Sequence, residues 1–89
     1  MSLDMPVALT HHSNKFREIF VIYSHPTDYP EHFVIRRWVT TSNLSGFVPD
    51  PDWFKLGQSL EDVRAYVPPF CVRLERNPRD EPHIVECWI

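Results

Sequence analysis

Two imidazoles and two carboxylates fall within one short segment, SHPTDYPEH (24–32). His25, Asp28 and His32 are residue types that zinc and iron accept as ligands. His25 and His32 with Asp28 and Glu31 also make the one local set suited to acid–base catalysis by composition. The spacing argues against both uses. Zinc sites usually take their ligands from regular elements or paired cysteine knuckles, and this segment offers neither. Pro26 and Pro30 restrict how its side chains converge. Each special residue also has a local role in a turn. Pro26 sets φ, Asp28 suits a bond to its own backbone, and Pro30 drives Tyr29 into extended backbone. The histidines then flank a stiff connection and could meet across its base. No metal or other cofactor is expected there, with His25, Asp28 and His32 kept as the alternative ligand set.

Other chemistries find less support. There is no G-x-S-x-G, no H-E-x-x-H and no glycine-rich phosphate loop, and the whole chain has two glycines. Asp50 and Asp52 in VPDPDW read as turn formers beside proline. Cys71 and Cys87 are expected on opposite faces of adjacent strands, which forbids a disulfide. Both read as reduced, small hydrophobic side chains. A chain of 89 residues encloses little pocket volume, so these features lean away from an enzyme.

The elements that must position these residues form one small domain. Residues 1–15 read as a flexible N-terminal tail containing His11 and His12, with Met1–Leu3 an added leader before a native Met5. Residues 16–89 read as a single α+β domain. EIFVIY (18–23) and FVIRRWVT (33–40) are β-branched and aromatic, and so predict strands joined by the 24–32 connection. Residues 41–58 read as irregular, from Thr, Ser, Asn, Gly and Pro, yet carry Leu44, Phe47, Trp53, Phe54 and Leu56. Ser59 with Asp62 predicts a capped helix start. Leu60, Val63 and Val67 share one helical stripe, and Pro68-Pro69 ends the helix. FCVRLER (70–76) and HIVECWI (83–89) predict a hairpin around NPRDEP. In that hairpin Val72 faces Cys87, Leu74 faces Val85 and Phe70 faces Ile89. Arg73 meets Glu86 and Cys71 meets Trp88 on the other side. The expected order is ββαββ, a four-stranded, mostly antiparallel sheet with one helix packed on one face.

Large rings are the strongest sign of function. Trp38 and Trp88 are expected on one strand face together with Arg36, and Trp53 and Phe54 either cap that face or extend it. Aromatic and arginine side chains are common anchors of protein interfaces. The chain therefore reads as a non-catalytic protein-interaction module binding through Arg36, Trp38, Trp53, Phe54 and Trp88. Its partner is another protein or a second copy. The alternative is a small metal-dependent or acid–base enzyme centred on His25, Asp28 and His32. A further alternative is a single-stranded nucleic-acid binder, which the net charge of −3 disfavours. No small-molecule ligand is identifiable. No apolar run is long enough for a membrane span, and no secretory leader is apparent, so a cytoplasmic location is expected.

HPTDYPEHFVIRRW, SLEDVRAYVPP and PHIVECWI resemble stretches of short uncharacterised bacterial proteins, some of them phage-associated. That resemblance implies one compact domain and carries over no activity and no site residue.

Overall fold

The structure is a computed structural model that describes residues 18–40 and 47–89. The expected tail at 1–15 and Leu44 lie outside the described residues. Among the described residues five strands, not four, form one antiparallel sheet: β1 (Glu18–Ser24), β2 (Phe33–Thr40), β3 (Phe47–Gly57), β4 (Arg73–Leu74) and β5 (Ile84–Trp88). One helix, α1 (Leu60–Arg64), lies between β3 and β4 in the chain. The spatial order is β3-β2-β1-β5-β4, so the chain order is βββαββ rather than ββαββ.

The added strand is β3, within the segment expected to be irregular. It pairs with β2 from Thr40↔Phe47 to Phe33↔Gly57, with a register shift between Arg36 and Trp38. Pro49 and Pro51 fit because β3 is an edge strand and the ladder bulges beside them. Those are the settings in which a strand tolerates residues without an N–H.

β1 is central and almost wholly buried, from Ile19 to Tyr23. Its alternation builds a core on each side of the sheet. Phe20 and Ile22, with Ile35 from β2, face α1 and pack with Val63; Leu60, Val67 and Cys71 close this side. Ile19, Val21 and Tyr23 face the other way and pack with Val34, Trp38, Phe47, Ile84 and Cys87. A shift between Ile22 and Tyr23 in the β1–β5 ladder leaves Val85 out of register and turns it to the α1 side. The expected Leu74–Val85 pair is overturned by the β4–β5 ladder itself, in which Leu74 faces Cys87.

The helix begins as its cap dictates. Ser59 Oγ accepts from the Asp62 N–H at 3.2 Å, and Asp62 Oδ2 accepts from the Gln58 N–H at 3.1 Å. Single turns at Tyr66 and Val67 follow before Pro68 stops the run. At Gly57 a Cβ would sit 2.8 Å from Asp62 Cβ and 2.9 Å from Val63 Cγ1, so the helix docks where β3 presents no side chain.

Candidate functional site

The connection at 24–32 is a rigid double turn. Tyr29 N–H donates to Pro26 O at 3.0 Å and His32 N–H to Tyr29 O at 3.2 Å, while His25 N–H donates to His32 O at 2.9 Å across the base. Pro26 is fully buried. His25 has φ of 49°, the left-handed region that histidine visits more readily than most residues. Its Nδ1 lies 2.8 Å from Ser24 Oγ, and its ring meets Phe33 edge-on. Asp28 reaches neither histidine: Arg36 Nη2 donates to its Oδ2 at 2.9 Å. The backbone brings His25 and His32 together, but Asp28 is committed elsewhere. Among the described residues no group of three His, Cys, Asp or Glu side chains converges to hold a metal ion.

The aromatic residues expected on one face are divided by the sheet. Trp38 lies opposite Ile19, whereas Trp88 lies opposite Phe20, the next residue along β1. Neighbouring residues of a strand point to opposite faces, so the two tryptophans are on opposite sides. Trp38 is buried and its Nε1 donates to Tyr23 Oη at 3.3 Å. Burial pushes the Tyr23 hydroxyl well above the ordinary tyrosine range, which keeps it neutral. Arg36 and Phe54 share the Trp38 side, with the guanidinium 4.9 Å from the Phe54 ring centre and Tyr29 against the same ring. Trp53 joins Trp88 on the α1 side, where it meets Phe20 edge-on at 5.4 Å. The expected single surface of Arg36, Trp38, Trp53, Phe54 and Trp88 is therefore not formed.

What the sequence reading missed lies at the other end of the sheet. Glu86 is on the α1 side of β5 and only 6% exposed. Arg64 Nε donates to both its oxygens, at 3.0 and 3.1 Å, and Arg64 Nη2 also reaches Oε2. Arg73 Nη1 donates to Oε2 at 3.3 Å and Trp88 Nε1 to Oε1 at 3.0 Å. Burial works to raise the Glu86 carboxyl, but the hydrogen bonds from Arg64, Trp88 and Arg73 outweigh it and hold the group below its ordinary value. The same contact raises the Arg64 guanidinium. Arg73 meets Glu86 as expected, though diagonally, because it stands directly opposite Trp88.

Between Arg64 and Arg73 the chain turns outward. Cys71 N–H donates to Pro68 O at 3.0 Å, a four-residue turn with Pro69 and Phe70 at its centre. Phe70 is 75% exposed and Val72 is 65% exposed, with Tyr66 also well exposed nearby in the chain. Val72 is held by paired backbone bonds with Ile89, at 2.6 and 2.9 Å. The expected strand at 70–76 thus shrinks to Arg73–Leu74, and Phe70 does not face Ile89. Pro68-Pro69 carried the missed signal, since proline suits the second position of such a turn.

The cysteines lie as expected, unbridged and on opposite faces. Burial pushes the Cys87 thiol up to about 12 and also raises Cys71, so neither is poised as a thiolate. No helix among the described residues is long and apolar enough to cross a membrane. Comparison with known protein families, curated proteins and solved structures found no match for this chain.

Proposed function

We propose that this protein is a non-catalytic protein-interaction module, and that its contact surface is the edge around Phe70 and Val72 rather than the tryptophan face. One observation carries this reading: two large apolar side chains, 75% and 65% exposed, stand two positions apart, Phe70 on a proline-stiffened turn and Val72 just after it. Exposing them costs hydrophobic free energy that burial against a partner would recover, roughly 1.5–3 kcal/mol for a fully buried side chain. The turn is preorganised, which lowers the ordering cost of binding. Arg64 and Arg73 flank it and share one carboxylate. That places arginine beside an apolar tip, a combination common in protein hot spots.

The test places a photo-crosslinking residue at position 70 and, as a control, at exposed position 27 in cells of the native host. A discrete protein adduct from position 70 alone, lost on Val72→Ser, is the expected result. An adduct of twice the chain's mass identifies a second copy as the partner. Equal adducts from both positions, or none from position 70, would remove this surface from consideration.

A further inference from the structure

The chain from Ala65 to Val72 runs between two arginines that end on the same carboxylate. Arg64 closes α1, Arg73 opens β4, and both donate to Glu86 on β5. Between them the segment is held by local turn bonds and by the paired backbone bonds of Val72 with Ile89. Val67 and Cys71 pack against the helix-side core, while Tyr66, Phe70 and Val72 are exposed. Its flanking elements cannot stand alone: α1 has five residues and β4 has two, far below the length at which an isolated helix persists. Their positions depend on tertiary contacts, and the charged contacts of both converge on Glu86.

We propose that Glu86 is the latch of a two-ended strap. One carboxylate fastens the end of α1 and the start of β4 together, and so holds the Pro68–Cys71 turn in a single conformation against the sheet. Without the latch the strap opens as a unit while β1, β2 and β3 stay paired. Fastening both ends removes the strap's loop entropy in advance, so a partner meets a formed Phe70 tip rather than a fluctuating segment. The value of the latch for binding rests on the interaction reading above. The latch itself does not, and its test needs no partner.

Amide hydrogen exchange on the full chain at neutral pH compares the natural protein with Glu86→Gln, which keeps the shape and removes the charge. The expected result is about tenfold or more faster exchange at Tyr66, Val67, Cys71 and Val72, with Ile19–Tyr23 and Val34–Arg36 changed by no more than about twofold. Unchanged exchange in the strap overturns the latch. Equal acceleration across β1 and β2 also overturns it, because Glu86 would then support the whole sheet. Should Glu86→Gln fail to fold, Arg64→Gln and Arg73→Gln each free one end. The first should accelerate Tyr66 and Val67, the second Val72, and natural-like rates in both would overturn the proposal. A strap that opens as stated, together with a Phe70→Ser variant that still captures the partner, leaves the latch standing and removes only the interaction reading.

Discussion

Asp28 and Glu86 are both carboxylates bonded to arginine, and their surroundings make them different objects. Asp28 sits on a loop with its side chain 28% exposed and takes one bond, from Arg36. Glu86 sits on a strand, 6% exposed, and takes bonds from Arg64, Arg73 and Trp88. A carboxylate that keeps part of its hydration and takes one bond depends less on that partner. A buried carboxylate has lost its hydration, so its partners are obligatory and losing them is costly. The cluster that stands out in the sequence, around Asp28, is thus the energetically light one. The heavier one is assembled from residues far apart in the chain, at positions 64, 73 and 86.

The largest expected effect tests that ranking. Glu86→Ala leaves two arginines and an indole N–H without their acceptor and should cost about 3 kcal/mol in urea unfolding. A loss below about 1 kcal/mol would erase the distinction from Asp28. Acid should act through the same group. The folded Glu86 carboxyl is held below its ordinary value, so its contribution is present above the unfolded glutamate value of about 4.3. It is lost as pH falls through the still lower folded value. The stability gap between the natural protein and Glu86→Gln should therefore be full at pH near 7 and shrink below about pH 4. A gap that widens in acid would reverse the assignment.

Asp28→Ala is a smaller perturbation, expected at about 1 kcal/mol, because it removes a single bond to a partly exposed carboxylate. His25→Gly should fall within about 0.5 kcal/mol of the natural protein. Glycine relieves the left-handed backbone at φ 49° but forfeits the Ser24 and Phe33 contacts. Least of all, zinc at micromolar concentration should leave the melting temperature unchanged. A zinc-dependent rise abolished by His25→Ala would restore the ligand reading of the loop.

Local features were legible where local physics decides them. The β-branched, aromatic runs of β1 and β2 announce strands, and the cap Ser59 with Asp62 announces the helix start. Pro26 and Pro30 announce the stiff connection, although Asp28 turned out to bond Arg36 rather than its own turn. The edge strand β3 was not legible, because Pro49, Asp50, Pro51 and Asp52 break its β-branched and aromatic residues apart, and it forms by pairing with β2 across a bulge.

From the sequence alone came a mixed α+β chain with alternating core strands, a capped short helix and two unbridged cysteines. All of these follow from side-chain period, caps and steric limits that act over a few residues. The tertiary structure decided the rest. β2 and β5 are not neighbours in the sheet, so the phase between Trp38 and Trp88 is set by β1, which separates them and sends the rings to opposite sides. The β4–β5 ladder pairs two residues away from the expected register, which gives Leu74 a new partner on the same face, and a turn at Pro68 removes Phe70 from the strand. Side chains alternate with period two, so register decides which face a residue reaches, and register belongs to the sheet as a whole. That is why Arg64, Arg73 and Glu86 meet on one side of this protein, and why Phe70 and Val72 are left in water beside them.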